Sequence, residues 1–317
     1  MEHTLSPHFA LIIPCYNEEA GLPHVMETLE QFLITLKHDG LVHGNSFVLY
    51  VDDGSRDDTW RIIEEGNARN QYSKGLKLAG NVGHQNALLA GMLEVRNEVD
   101  VMISMDADLQ DDLSAIPAML KSFAEGFDIV YGVKNNRDID PFFKRCTAKF
   151  FYKLMGVFGV RIVPQHADCR LVSRAALNAL AQYGESNLFL RGIFPSMGFR
   201  STTVAYTIKE RQYGESKYPL KRMLSFAWQG ITSFSGMPLR LAGLFSLGTL
   251  LLAFLQSLLA LLAWARGETV TGWASLMIGM LFLGSVQLFS IALIGEYLVK
   301  IYAEVKRRPR YIVDKKL

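Results

Sequence analysis

The segment DADLQ at residues 106–110 holds the side chains of this sequence that are best suited to chemistry. Two carboxylates and an amide oxygen stand there at alternate positions, directly after the apolar run at 101–105, so they can turn toward one point beyond a strand. Such hard oxygen ligands suit Mg²⁺ or Mn²⁺, which keep positions open for the phosphate oxygens of a substrate. The alternative is helix capping, which the acidic residues at 111–112 can provide, but Asp106 and Asp108 lie too early for it.

Two further polar clusters follow apolar runs nearer the N-terminus. DDGS at 52–55 follows the run at 46–51, and a carboxylate there can accept a hydrogen bond from a nucleobase N–H or a ribose hydroxyl. PCYNE at 14–18 follows a similar run and offers an aromatic face and polar tips to a nucleoside. DDGS is also a common turn between a strand and a helix, so alone it leaves a structural role and a nucleoside contact equally open. PCYNE alone indicates little.

Alternating apolar runs and amphipathic segments must position these clusters. Continuous apolar runs predict strands, and apolar residues at helical spacing predict the helices between them. The predicted strands lie at 9–14, 46–51, 75–79, 101–105 and 128–133, and the predicted helices begin near residues 22, 59, 84 and 113. This alternation predicts the α/β class, with a mostly parallel sheet covered by helices on both faces. Ligands of such sheets bind beyond the carboxyl ends of the strands, where this sequence places its polar clusters.

Composition sets outer bounds on the class of protein. The 317 residues allow a catalytic domain of ordinary size and an appendage, and half of them are hydrophobic. The net charge of +2 excludes neither nucleic acid nor membrane as a partner. The scattered cysteines predict no disulfide framework and no CxxC metal site, and they fit a reducing compartment. They are Cys15, Cys146 and Cys169.

Two long uncharged runs follow Arg240. The runs at 241–265 and 273–294 each exceed the roughly 20 residues that a helix needs to cross about 30 Å of hydrocarbon. The alternative is a buried helical hairpin in a large soluble core, but no soluble segment remains to cover it. Basic residues lie outside the pair on both sides, whereas the stretch at 266–272 is nearly neutral. The distribution of positive charge therefore predicts that both termini and the N-terminal domain face the cytosol.

A basic, Phe-rich segment at 141–159 precedes the spans. Such a helix is typical of the membrane interface, and an ordinary helix packed on the sheet is the alternative. A similar segment at 219–234 leads into the first span. We therefore predict the organisation of the whole chain. It comprises a cytoplasmic catalytic domain at 1–218, an amphipathic juxtamembrane helix at 219–238, a two-helix transmembrane hairpin at 239–300 and a basic cytoplasmic tail at 301–317.

Five ordered motifs together resemble the family 2 glycosyltransferases of GT-A fold. They are PCYNE at 14–18, VDDGS at 51–55, DADLQD at 106–111, ADCRL at 167–171 and RQYGESKY at 211–218. With the two C-terminal spans, the chain is similar over nearly its whole length to polyprenyl-phosphate glycosyltransferases, such as the bactoprenol glucosyltransferases, and to dolichyl-phosphate mannose synthases. The resemblance implies a Rossmann-like GT-A domain, interfacial helices, two transmembrane helices and a homo-oligomer, with a tetramer as the expected state.

The resemblance also implies a nucleotide-sugar donor bound by residues of several motifs. The nucleoside would be surrounded by Pro14, Tyr16, Glu18 and Asp53. The donor phosphates would be contacted by a flexible segment that contains Arg211, Ser216 and Lys217. The Mg²⁺ or Mn²⁺ that bridges the donor diphosphate would be held by Asp106, Asp108 and Gln110.

On the acceptor side, the resemblance implies that Lys134 and Arg145 contact a lipid phosphate. Asp168 stands at the position where the family has a carboxylate that is proposed to act as a base or to contact the sugar. A monophosphate has a second pKa of about 6 and is mostly dianionic at neutral pH, so we expect Asp168 to orient a substrate rather than to serve as an obligatory base. The bound ion and nearby cations would stabilise the charge of the leaving diphosphate. The residues expected to act in catalysis are Asp108, Asp168, Arg211 and Lys217.

The sequence departs from the family pattern at two places. Residues 80–84 read GNVGH where relatives often show Arg-Asn-x-Gly-Lys, so two cations are missing, along with any donor contact that they make. Cys169 stands where the Asp-Phe-Arg motif usually has its aromatic residue, which changes the sugar pocket.

The expected function is therefore inverting transfer of a hexose from a nucleotide sugar to undecaprenyl phosphate at the cytoplasmic face of the plasma membrane. UDP-glucose is the first candidate for the donor. A processive polysaccharide synthase is one alternative, but it needs more spans and an Arg-Trp pair that this sequence lacks. A non-enzymatic lipid carrier or transport subunit is another, but it has no use for a metal-binding pair or a phosphate-binding loop. Nucleic acid is not an expected partner, because the basic clusters lie beside the spans.

Overall fold

The computed structural model of the protein describes residues 6–134, 156, 163, 166–185, 189–207, 232, 235–267 and 272–317. Nearly all of the helices predicted at 141–159 and 219–238 lies outside these described residues. The same holds for four predicted site residues, which are Arg145, Arg211, Ser216 and Lys217.

The described residues of the catalytic region form a sheet with helices on both faces. Its strands are β1 (Phe9–Cys15), β2 (Phe47–Asp52), β3 (Ser73–Leu78), β4 (Val101–Ser104), β5 (Ile129–Lys134), β6 (His166–Ser173), β7 (Ser201–Tyr206) and β8 (Val313–Lys316). Its helices are α1 (Leu22–His38), α2 (Thr59–Arg69), α3 (His84–Val95), α4 (Ala115–Ala124), α5 (Arg174–Leu180) and α6 (Leu190–Ser196). Two long helices follow, α7 (Met237–Ala265) and α8 (Trp273–Lys306).

The strand order is β7-β5-β6-β4-β1-β2-β3-β8. The pairs β1–β2, β1–β4, β2–β3 and β5–β7 are parallel. Strand β6 is antiparallel to β4 and β5, and β8 is antiparallel to β3. The sheet is thus mostly parallel, which confirms the predicted fold class.

The central strands are buried on both faces, which explains their continuous apolar sequences. In β1, Leu11 and Ile13 face one hydrophobic cluster together with α1, α2 and α4. Ala10 and Ile12 face a second cluster on the opposite side, formed with α3, α5 and α6. The core therefore holds the carboxyl ends of β1, β2 and β4 at one edge, and β1 pairs with β2 on one side and β4 on the other. A crevice for ligands is expected at such a switch in strand order.

The antiparallel strand β6 brings its first residues to this same edge. Ser104, at the end of β4, lies opposite Arg170, and its hydroxyl donates to the carbonyl oxygen of Asp168 at 2.6 Å. Because β6 runs against β4, the beginning of β6 meets the end of β4. Asp168 consequently lies next to the loop that carries the DADLQ segment.

Strand β8 is an element that the sequence analysis did not predict. After α8 ends, residues 313–316 return to the catalytic domain and pair with the outer edge of β3. The amide of Leu317 donates to the Gly75 oxygen at 2.9 Å, and the Lys316 ammonium pairs with Glu94. The segment at 301–317 thus includes a strand of the catalytic sheet.

Deleting residues 311–317 is expected to expose the edge of β3. The Ala79 amide donates to the Ile312 oxygen at 2.9 Å, so it should exchange faster with solvent when that acceptor is lost. The Val48 amide donates to Tyr72 on the opposite side of β3 at 2.7 Å and should keep its protection. Hydrogen–deuterium exchange measures both amides. Unchanged protection of Ala79 in the shortened protein would contradict the pairing of β8.

Helices α7 and α8 contain two segments that are long and apolar enough to cross a membrane. They are Met237–Gln256 and Gly279–Lys306, with mean hydropathies of 1.7 and 1.6. Their large side chains are mostly exposed, as with Phe245 at 69% and Leu288 at 70%. Two candidate membrane spans thus lie where the sequence predicts them.

Candidate active site

The first two motifs form one interlocked structure at the carboxyl edge. Asn17 adopts a left-handed conformation with φ 55°, and its amide donates to the Ser55 hydroxyl at 3.0 Å. Its side-chain oxygen accepts from the Arg56 amide at 2.9 Å. The Glu18 amide donates to the Thr59 hydroxyl at 2.9 Å. The neighbouring Tyr16 is 43% exposed.

The two acidic residues of the DDGS turn are both buried. Asp53 accepts from the amides of Val82 and Gly83 at 2.7 and 3.0 Å, so it fixes the loop before α3. Asp52 accepts from the Ser55 amide at 3.0 Å through one oxygen. Its other oxygen is buried and has no hydrogen-bond partner among the described residues. The structure therefore gives Asp53, predicted to contact a nucleoside, a structural role as well.

Gly54 allows this turn to approach the loop before α3 closely. It has φ +65°, and a Cβ atom placed on it would lie 2.5 Å from the carbonyl carbon of Gly80 and 2.6 Å from the nitrogen of Asn81. Both neighbours are backbone atoms that cannot rotate away. Glycine is thus required here by conformation and by space.

The acidic loop, β6 and α3 bring three candidate ligands together. His84 Nε2 lies 3.6 Å from Asp106 Oδ1 and 3.5 Å from Asp168 Oδ2. One ligand atom of each residue lies within 4.8 Å of the other two. Two carboxylates and an imidazole are a donor set that fits a divalent cation such as Mn²⁺. Asp106, predicted as a metal ligand, is one of the three, and its metal-binding role stays a prediction.

The other two predicted metal ligands follow in the same loop. Asp108 Oδ1 accepts from the Gln110 amide at 3.2 Å, across Leu109, which has φ 48°. This bond shapes the turn after β4. Among the described residues, Asp108 does not belong to the compact group of three acidic and imidazole ligands.

Two arginines that the sequence analysis did not single out surround Asp168. Arg191 of α6 donates to both of its carboxylate oxygens, at 3.3 and 3.1 Å. Arg170 is fully buried, lies 3.7 Å from the same carboxylate and stacks on the Phe194 ring at 4.6 Å. Burial opposes the ionisation of Asp168, but Arg191, His84 and Arg170 outweigh it and hold the pKa well below its ordinary value. Asp168 is therefore an ionised carboxylate and a poor base.

The neighbouring groups titrate differently. Burial, reinforced by the charge of Asp168, raises the pKa of Asp106 to about 6. For His84, burial disfavours the charged form, but the hydrogen bond to Asp168 and the charge of Asp106 raise the pKa above its ordinary value. The charged form of Asp106 is thus disfavoured beside Asp168, and a cation bound there would favour it.

Lys134, predicted to contact the acceptor phosphate, reaches the same acidic loop. Its ammonium lies 3.7 Å from Asp111 Oδ1, to which the Tyr206 hydroxyl donates at 2.5 Å. This contact places the end of β5 beside the loop that follows β4. The involvement of Asp111 and Tyr206 was not predicted.

Comparisons with known proteins give a consistent result. The profile of the family described as "Glycosyl transferase family 2" matches residues 10–181. "Uncharacterized glycosyltransferase YkoT" of Bacillus subtilis (strain 168) is 47% identical over 308 residues, covering 97% of this chain and 91% of the relative. "SfII prophage-derived bactoprenol glucosyl transferase" of Shigella flexneri is 33% identical over 313 residues, covering 96% and 97%.

A solved structure shows a more distant likeness. "Mannosyltransferase PcManGT from Pyrobaculum calidifontis in complex with GDP-Man and Mn2+" aligns with a TM-score of 0.43 and 16% identity. The alignment covers 96% of this chain and 88% of that one.

Proposed function

This chain belongs to glycosyl transferase family 2, and on that premise we propose that it transfers a hexose from a nucleotide sugar to a polyprenyl phosphate at the cytoplasmic face of the plasma membrane. UDP-glucose is the first candidate donor, by analogy with the relatives named bactoprenol glucosyl transferases. The observation that carries the proposal is the convergence of Asp106 and Asp168 at the carboxyl edge of the sheet. They occur in a chain with two exposed apolar helices.

On the donor side, the nucleoside would lie against the exposed face of Tyr16, with Pro14 and Glu18 beside it. Asp53 would support this site by holding the loop before α3. The buried, unpartnered oxygen of Asp52 is an acceptor of the kind that a nucleobase N–H satisfies. These features support the binding of a nucleotide at the ends of β1 and β2.

The leaving diphosphate requires positive charge. Asp106 would hold Mg²⁺ or Mn²⁺ together with Asp108 and Gln110, as the family resemblance implies. When bound, the ion supplies charge where the departing diphosphate becomes more negative. The predicted contributions of Arg211, Ser216 and Lys217 to this step remain predictions.

On the acceptor side, Lys134 would contact the lipid phosphate, and Arg145 stays a prediction for the same role. Asp168, ionised and fixed by Arg191, would orient the sugar or the phosphate. The acceptor phosphate is mostly dianionic at neutral pH and attacks without prior loss of a proton. Its attack on the face opposite the diphosphate would invert the anomeric carbon and give a β-linked product.

The fold supports the proposed membrane topology. Strand β8 follows α8 in the chain and pairs with β3, which supports an arrangement with the segments before α7 and after α8 on the same side of the bilayer. Six residues join α8 to β8, at 307–312, and they span at most about 25 Å. The end of α8 is therefore close to the catalytic sheet. The basic residues on this side favour the cytoplasm.

A panel of labelled nucleotide sugars, incubated with undecaprenyl phosphate and the purified protein, tests the proposal. We expect label from UDP-glucose to enter the lipid phase in larger amount than label from UDP-galactose, UDP-N-acetylglucosamine or GDP-mannose. Preferential transfer of label from another donor would show that the transferred sugar is not glucose. Absence of lipid label from every donor would favour a non-enzymatic lipid carrier, and a long polysaccharide would favour a processive synthase.

Replacing Asp168 with Asn is expected to lower turnover about 10²-fold, because the loss of charge weakens the contact with Arg191 that fixes its position. The low pKa keeps the wild-type carboxylate ionised above the acid range, so the ratio of mutant to wild-type turnover should stay constant from pH 6 to 9. Asp39→Asn, at the end of α1, is the control and should leave turnover unchanged. Recovery of the Asp168→Asn protein as the pH rises would instead indicate that Asp168 is a base.

A further inference from the structure

The position of His84 in the site is set by its surroundings. It is the first residue of α3 and follows Gly83, which has φ +87° and whose amide is held by Asp53 at 3.0 Å. The side chain therefore extends from a fixed backbone toward Asp106 and Asp168. The family resemblance gives this position a lysine in many relatives, so histidine is a departure whose role the proposed function leaves unexplained.

The distances around His84 suit an ion shared with Asp106. Two ligand atoms that each lie about 2.1 Å from one ion are separated by roughly 3.0–3.4 Å at ordinary coordination angles. His84 Nε2 and Asp106 Oδ1 are 3.6 Å apart, slightly beyond that separation and too far for a direct hydrogen bond. A small inward movement of either side chain is enough to place an ion between them.

Asp168 is less suited than His84 to complete this site. Both of its oxygens accept hydrogen bonds from Arg191, which competes with a metal ion for the same lone pairs. His84 Nε2 instead lies beside the two carboxylates, and among the described residues no cationic side chain is bonded to it. The imidazole is thus the donor best placed to join Asp106.

We propose that His84 supplies a nitrogen ligand to the divalent ion that Asp106 holds, and that this ligand makes the site prefer Mn²⁺ to Mg²⁺. The inference rests on the proposed function. Mg²⁺ demands oxygen ligands in near-ideal octahedral geometry, whereas ions later in the first transition row accept imidazole more readily. An imidazole nitrogen offers a lone pair that can bind such an ion. A lysine ammonium at this position would contribute charge but no ligand.

Pulsed electron paramagnetic resonance of Mn²⁺ bound to the purified full-length protein tests this directly, with any affinity tag removed. We expect a ¹⁴N coupling from a coordinated imidazole, with Mn²⁺ alone and with Mn²⁺ and UDP. The coupling should disappear in His84→Gln and His84→Lys. His38→Gln changes an exposed histidine at the end of α1 and should retain it.

The affinities of the same variants separate ligation from simple charge. We expect His84→Lys and His84→Gln to weaken Mn²⁺ binding by about 10-fold or more and Mg²⁺ binding by less, because only Mn²⁺ makes good use of the nitrogen. Equal effects on both ions, or Mn²⁺ bound to the wild-type protein without ¹⁴N coupling, would overturn the inference and leave the proposed function intact. Failure of the wild-type protein to bind either ion would overturn both.

Discussion

Asp106→Asn is expected to lower sugar transfer about 10³-fold, the largest functional loss that we predict for a single substitution in the described residues. Asparagine keeps the size of the side chain but removes the charge that holds the divalent ion. Loss of that charge stabilisation costs several kcal/mol in the transition state. The fold should survive, because burial already raises the pKa of Asp106 to about 6 and disfavours its charge in the metal-free protein. Transfer of labelled sugar to lipid at saturating Mn²⁺ measures the effect.

The control lies in the same loop. Asp112 accepts from the amide and hydroxyl of Ser114 at 3.2 and 2.7 Å, at the start of α4 and away from the ligand cluster. Asp112→Asn should keep transfer within about 2-fold of wild type, since a change outside the site leaves the transition-state charge stabilisation in place. Wild-type rates in Asp106→Asn would refute the role of Asp106, and equal losses in both variants would indicate damage to the loop.

Gly54→Ala is expected to cause the largest loss of stability. The left-handed conformation costs an alanine about 1–2 kcal/mol, and the contact with the backbone of Gly80 and Asn81 adds about 1–3 kcal/mol. A total of about 3 kcal/mol corresponds to a fall of roughly 6–12 °C in the melting temperature of a domain of this size. Thermal unfolding of the purified protein in detergent measures it.

Gly40→Ala separates the two contributions. Gly40 also has a positive φ, +68°, but a Cβ atom there would meet no atom within 4 Å. We expect it to lower the melting temperature less, by roughly 2–8 °C, from backbone strain alone. Equal shifts in the two variants would show that the turn can move away from the loop before α3. They would thereby contradict the close approach on which the proposed nucleotide site depends.

Much of the sheet could be predicted because its strands are buried on both faces. The apolar runs that became β1, β2 and β4 need no tertiary context to be recognised. Helix α3 begins at His84, where its start was predicted, because a glycine precedes a run rich in alanine and leucine. The motifs then follow the carboxyl ends of these strands by topology alone.

Strand β8 could not be predicted in the same way. Its sequence, VDKK, is short, exposed and mostly charged, which is typical of an edge strand rather than of a core strand. Its partner β3 lies more than two hundred residues earlier in the chain, so no local pattern indicates the pairing. Only the tertiary structure shows that the chain returns to its first domain after α8.

The side-chain contacts of the site residues could not be predicted from the sequence either. Arg191 lies on a short helix without a recognisable motif, and its contact with Asp168 depends on how α6 packs against the sheet. Asp53 was predicted as a nucleoside contact from the family resemblance, which does not show that the amides of Val82 and Gly83 approach its carboxylate. His84 was noticed only as a missing lysine. Spacing identifies candidate residues, but packing decides which of them meet.

The dependence of glycolipid formation on a divalent cation is the most direct test of the account. The purified protein, UDP-glucose and undecaprenyl phosphate would be incubated first with EDTA and then with added Mn²⁺. We predict that EDTA abolishes the appearance of sugar in the organic phase, and that Mn²⁺ restores it in the wild-type protein but not in Asp106→Asn. Undiminished glycolipid synthesis in EDTA would contradict the claim that a cation held by Asp106 neutralises the leaving diphosphate.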